Sequence, residues 1–232
     1  MLPYTLIDLT HPLTPEAPTW EGECGFFLKT RADVNPLEDS QFCVQEFSLK
    51  AGLGTHMDAP RHCYMDQKSV ADFDIKDLIA PAVILDISKK VRIQPSAQLT
   101  TEDIFDFERH YGLIEDGSIV LISSGWDKRW QDPVSYRNDM IFPTIAHNAA
   151  ELLRDRGCRG VGIDTLSPDL PDSGYPVHKT ILSADGIILE NVANLENMPP
   201  KGGLVLISPL RIVGAAESPI RLIGLIKKDK KI

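Results

Sequence analysis

Little in this sequence asks for covalent reinforcement or for a lipid environment. Four cysteines occur in 232 residues, Cys24, Cys43, Cys63 and Cys158, and none forms a C-x-x-C pair. A chain of this length buries about 70% of the surface it exposes when unfolded, so it folds without disulfides, and sparse, unpaired cysteines suit a reducing compartment. No apolar run approaches the ~20 residues of a membrane span. Met1-Leu2-Pro3-Tyr4 lacks a basic segment followed by an apolar stretch, so no signal peptide is expected. The default expectation is a cytoplasmic protein with no membrane partner. Positive charge is also scarce, with 24 Lys and Arg against 33 Asp and Glu and a net charge of −9. Such a chain repels phosphate backbones, which argues against a nucleic-acid partner. The one basic cluster, Lys227, Lys228, Lys230 and Lys231, reads as a solvated chain end. Internal repeats, low-complexity tracts and linkers are missing too. The expectation is therefore one domain spanning residues 1–232.

The composition is ordinary for a globular protein, 43% hydrophobic and 25% charged. Short apolar runs at Ala82–Ile87, Ile119–Ile122, Val161–Ile163, Ile187–Leu189 and Leu204–Ile207 read as strands buried on both faces. Cys43–Leu49 alternates and reads as a half-exposed strand, and Leu6, Ile7 and Leu9 belong to an opening strand. One helix is predicted to start near Thr101, with Glu102 and Asp103 in its first turn and Gly112 as C-cap. A second begins after Pro143, with Ile145, Ala149, Leu152 and Leu153 as its apolar stripe and Arg154, Arg156 and Gly157 closing it. A shorter helix is expected around Phe73–Ile79. Alternating strands and helices place the chain in the α/β class with a mixed sheet.

The chemistry concentrates in Gly54-Thr55-His56-Met57-Asp58-Ala59-Pro60-Arg61-His62. If the backbone stays extended from His56 to Asp58, both side chains point the same way, and an imidazole and a carboxylate can grip one divalent ion. Pro60 takes the chain out of the strand, which lets His62 reach the rim of the same site and move protons. A second pair, His178 and Glu190, flanks Lys179–Leu189. Glu190 ends an apolar run, where a carboxylate is costly unless paired or cation-bound. His178 follows the loop-like Gly174-Tyr175-Pro176. Asp164, Asp169 and Asp172 lie in a segment rich in Asp, Ser, Pro and Gly, where capping of loops is the expected role.

Gly54–His62 matches the His-x-Gly-Thr-His-x-Asp-x-Pro-x-His signature of the cyclase family of metal-dependent hydrolases, which includes kynurenine formamidase and isatin hydrolase. The chain resembles that family along most of its length, through Ile7-Asp8-Leu9-Thr10, Pro18-Thr19-Trp20, Ser123-Ser124-Gly125-Trp126-Asp127 and Gly162–Asp169. The resemblance implies a swivelling β/β/α domain with a mixed β-sheet core, in a homodimer or higher homo-oligomer. It implies metal ligation by His56, Asp58, His178 and Glu190, a proton shuttle at His62, and Trp20 beside the substrate. One position departs from the signature. Gly52 stands where the family has its first histidine, and glycine cannot ligate. One ion, or a second held weakly, is then expected. Glu46 and Cys63 are the nearby residues with ligating side chains.

A His, Asp, His, Glu set without a thiolate suits zinc or manganese, one or two ions per chain. The implied reaction is hydrolysis of a small-molecule amide, a formyl amide or a cyclic amide, by metal-activated water, with His62 protonating the leaving nitrogen. Trp20, Phe26 and Phe27 either line an aromatic pocket or pack the core. Two rivals follow from the same residues. The first is a non-catalytic metal-binding or ligand-sensing member of the fold, suggested by Gly52. The second is a thiolate enzyme using Cys63, unfavourable unless the chain turns there, because neighbours on a strand face opposite ways.

Overall fold

Four apolar runs lie side by side and parallel at the centre of the molecule. The computed structural model describes residues 2–34 and 42–228; Lys230 and Lys231 of the basic cluster fall outside these. In chain order the strands are β1 (Tyr4–Asp8), β2 (Phe26–Ala32), β3 (Val44–Leu49), β4 (His56–Asp58), β5 (Ile79–Asp86), β6 (Gln98–Leu99), β7 (Ile119–Ser123), β8 (Thr144–Ile145), β9 (Gly160–Ile163), β10 (Ile187–Glu190), β11 (Gly203–Pro209) and β12 (Glu217–Lys227). The helices are α1 (Ser88–Ile93), α2 (Thr101–Tyr111), α3 (Pro133–Arg137), α4 (His147–Asp155) and α5 (Pro176–Ser183). Strands β5, β7, β9 and β10 pair in parallel. Antiparallel β11 and β12 extend one side and β4 the other, and β4 also pairs with β12, so the sheet closes on itself. Closure removes the exposed edges that an open sheet would leave. Strand β1 joins along β12. The result is the α/β architecture with a mixed β-sheet core expected from the sequence, here closed into a barrel-like form.

Side chains alternate between two apolar layers, as a pleated strand requires. Ala82, Ile84, Ile119, Leu121, Ile187 and Leu189 fill the inside of the closed sheet with Met57, Val205 and Leu222. Val83, Leu85, Val120, Ile122, Val161, Ile163 and Ile188 face the other way and pack with residues of α2, α4 and α5. That second face carries the site. Met57 points into the barrel, so His56 and Asp58 on either side of it point towards the helices.

Most expected elements are present, with corrections at their margins. Helix α2 runs from Thr101, capped by Thr100 and Asp103, and ends at Gly112 with φ 81. The second helix starts later than its apolar stripe suggests: Ile145 belongs to β8, which pairs with β6, and the helix begins at His147. Phe73–Ile79 is not a continuous helix. Ile75–Leu78 forms a 3-10 turn and Ile79 opens β5. His178 does not sit in a loop. Pro176 supplies the first residue of α5, where a missing N–H costs nothing, and His178 is buried within that helix. The hairpin β2–β3 is exposed along most of both strands, so β2 gives no burial pattern to read.

Candidate metal centre

Strand register brings three of the candidate residues together and adds a further carboxylate. His56 lies directly opposite Glu190, and Asp58 lies opposite Ile188, where β4 meets β10. On its other edge β4 meets β12, which sets Asp58 directly opposite Glu217. Directly opposed residues share a face, so His56, Asp58, Glu190 and Glu217 converge. Helix α5 adds His178 from above. Gly54, with φ 64, turns the chain into β4; a side chain there would run into Leu13.

His56 Nε2 lies 3.4 Å from Asp58 Oδ1 and 3.3 Å from Glu190 Oε2. His178 Nε2 lies 3.7 Å from Asp58 Oδ2 and 3.4 Å from Glu190 Oε1. These separations are long for hydrogen bonds and suit donor atoms arranged around an ion. The outer ring nitrogens are already committed. His56 Nδ1 donates to the Gly54 carbonyl at 2.8 Å, and His178 Nδ1 donates to Asp169 Oδ2 at 2.8 Å. Each ring is thereby fixed with its Nε2 lone pair facing inward, the arrangement seen around metal-ligating histidines. Asp58 is buried, yet neither of its carboxylate oxygens has a hydrogen-bond partner. A buried carboxylate left in that state is costly unless a cation completes it. The donor set, two imidazoles and carboxylates with no thiolate, fits a borderline divalent ion.

Electrostatics points the same way. Burial opposes a charged ring at His56, but Asp58 and Glu190 outweigh it and hold His56 well above its ordinary value. Burial likewise opposes charge at His178, where Asp169, Asp58 and Glu190 win. For Asp58, burial is outweighed by the two histidines, which hold the carboxyl well below the usual range. The centre draws in positive charge, as protons or as a metal cation.

A cleft of about 450 Å³ opens onto these groups, within the range of small-molecule sites. His62 stands at its rim, on the 3-10 turn that Pro60 initiates, with its Nδ1 3.1 Å from Glu217 Oε1 and its ring 5.6 Å from that of His178. Trp20 is half-buried on the wall, tilted against Tyr175 and edge-on to Phe142. Phe26 packs against the core and Phe27 is exposed; neither lines the cleft. Cys63 does reach the cleft, because the chain turns at Pro60–His62, but burial pushes its thiol up, away from the thiolate form a nucleophile needs. Glu46, the other neighbour of Gly52 in sequence, pairs with Arg31 on the exposed hairpin and takes no part.

Three contributors were not legible in the chain. Asp169, expected only as a loop cap, accepts from the backbone N–H groups of Val177 and His178 as well as from the His178 ring, fixing both α5 and the orientation of that ring. Asn191 donates to the Gly54 carbonyl at 3.0 Å and accepts from the Tyr136 hydroxyl at 2.9 Å, bracing the acceptor of the His56 ring. Glu217 has no local motif at all. Asp164 does cap a loop, taking the N–H groups of Ser124, Gly125 and Trp126, and Asp172 is exposed. Outer partners of this kind are worth 10–100-fold in metal affinity. Asp169→Asn should therefore weaken zinc binding by about that factor without changing the number of ions bound, read by calorimetric titration; an unchanged affinity would show that Asp169 only caps α5.

Residues 7–170 match the family model described as putative cyclase. An isatin hydrolase of Roseibium aggregatum is 31% identical over 96% of this chain and 92% of its own length. A kynurenine formamidase of Geobacillus thermodenitrificans is 29% identical over 93% and 94%. Among solved structures, isatin hydrolase A from Ralstonia solanacearum superposes with a TM-score of 0.88 at 28% identity, covering 96% of this chain and 92% of that one. Both relatives by sequence carry the names of hydrolases, and this chain belongs to the cyclase family.

Proposed function

We propose that the chain is a metal-dependent hydrolase of non-peptide amides, acting on an aryl formamide or on a cyclic amide fused to an aromatic ring. The observation that carries this reading is the buried Asp58 carboxylate, unpartnered at both oxygens and faced by two imidazole nitrogens and Glu190 at the floor of an open cleft. His56, Asp58, His178 and Glu190 would serve as metal ligands, to zinc or manganese by donor type and to one or two ions per chain. When bound, such an ion supplies Lewis acidity and lowers the pKa of water towards ~7.

The remaining work falls to the chain's own groups. Trp20 and Tyr175 offer apolar faces on the cleft wall against which an aromatic ring can lie. The amide is thereby directed towards His62. An amide nitrogen leaves poorly without a proton, and His62 at the rim is placed to deliver one. Glu217 Oε1 lies 3.1 Å from His62 Nδ1, which leaves Nε2 as the atom free to exchange the proton. The names of the relatives suggest the assay substrates. Protein loaded with zinc or manganese should hydrolyse isatin or N-formylkynurenine, followed by chromatography. No cleavage of either, or of simple aryl formamides and lactams, with metal bound would sink the reading.

We further propose that the chain works as a homodimer or higher homo-oligomer. A two-stranded hairpin is marginal in water, yet β2–β3 holds Phe27, Leu28 and Phe47 exposed. A second copy covering that surface would explain it. A monomeric mass by sedimentation at micromolar concentration would refute this.

A further inference from the structure

Glu217 stands where the missing side chain at Gly52 would reach. A Cβ built on Gly52 would lie 3.3 Å from Glu217 Oε1 and 3.4 Å from Oε2, so the space beside Gly52 is already taken by this carboxylate. Two three-residue ligand groups result. Asp58, His178 and Glu190 present donor atoms within 4.8 Å of one another, and so do His56, Asp58 and Glu217. Asp58 belongs to both, and it is buried with both oxygens unpartnered. Its Oδ1 faces His56 and its Oδ2 faces His178, so the one carboxylate could serve both groups.

The position of Glu217 is fixed by backbone. It opens β12 directly opposite Asp58, and the adjoining residues are tied down by the Ala59 N–H to the Ala216 carbonyl and the Val70 N–H to the Ala215 carbonyl, each at 2.9 Å.

We infer that Glu217 is a metal ligand, completing with His56 and Asp58 a second divalent-ion site that the glycine at position 52 would otherwise leave open. Substituting a carboxylate for an imidazole keeps three protein ligands around that ion, makes the site more anionic and shifts it towards harder cations such as manganese. The inference rests on the metal-dependent reading above, and its test separates the two.

The test is metal stoichiometry, measured by calorimetric titration with zinc alone and manganese alone and checked by elemental analysis. The wild-type chain should bind about two ions, and Glu217→Gln about one. Retention of that one ion, held by Asp58, His178 and Glu190, shows that the variant is folded. In the Glu217→Ala background, Gly52→His should restore the second ion, because Gly52 lacks a left-handed φ and the carboxylate that crowds it is gone. Two ions in Glu217→Gln with slower turnover would make Glu217 only the positioning partner of His62 and overturn the inference. So would a single ion in the saturated wild-type chain. No ion in the wild-type chain would overturn the metal-dependent reading itself, whereas two ions without hydrolysis would leave this site standing and remove only the proposed reaction.

Discussion

Replacing Asp58 with alanine should abolish metal binding at both ligand groups and turnover with it. Asp58 is the one residue common to both groups, and without it each keeps only two side chains, below the three protein ligands usual for a catalytic ion. The loss can be read without any substrate. An ion present at 100 times its dissociation constant stabilises the folded state by about 2.7 kcal/mol, which raises the melting temperature of a chain this size by roughly 5–10 °C. Wild-type protein should show that rise with zinc and Asp58→Ala should not. The rise should also grow with pH. His56 and His178 are held above their ordinary values by the surrounding carboxylates, so their protonated forms stabilise the metal-free protein at low pH, and that contribution is lost as pH climbs through the raised values. An ion needs both rings neutral. Metal stabilisation is therefore smaller near pH 6 than near pH 8, and a rise that shrank with increasing pH would contradict the ligand assignment.

Why Asp58 was readable and Glu217 was not is a matter of chain distance. His56 and Asp58 occupy alternate positions of one extended stretch, so their shared face follows from strand geometry alone. Glu190 announces itself as an acid closing the apolar run Ile187–Leu189. Glu217, by contrast, reaches the site through pairing of β12 with β4, a contact between residues about 160 apart in sequence that only closure of the sheet creates. Asp169 misled for a related reason: in isolation an aspartate among Ser, Pro and Gly is a loop cap, and it does cap α5, but the helix it caps happens to present His178 to the same carboxylate. His178 itself carried the weaker signal because it follows the loop-like Gly174-Tyr175-Pro176. Proline at a first helical position reads equally as a start. The central parallel strands were legible because they are apolar on both faces; β12 was not, since its alternating Ile220, Leu222, Gly224 and Ile226 run into a lysine-rich end that reads as solvated.

His62 offers the sharpest division between binding and chemistry. Its side chain is partly exposed at the cleft rim, and it belongs to neither ligand group. His62→Ala should therefore bind the same number of ions as wild type, with the same metal-induced rise in melting temperature, while turnover of an amide falls by about 10²–10⁴-fold, the usual contribution of a placed proton donor. The leaving group provides an internal control. An amide nitrogen departs as a strongly basic anion unless it is protonated, whereas the phenolate of an aryl ester departs without help. If His62 delivers the proton, the variant loses far more activity on the amide than on an aryl ester of the same acyl group. Equal losses on both substrates, with metal retained, would assign His62 to activating the attacking water or orienting substrate. Loss of metal together with activity would make it a ligand, and unchanged turnover would return the proton transfer to another group in the cleft.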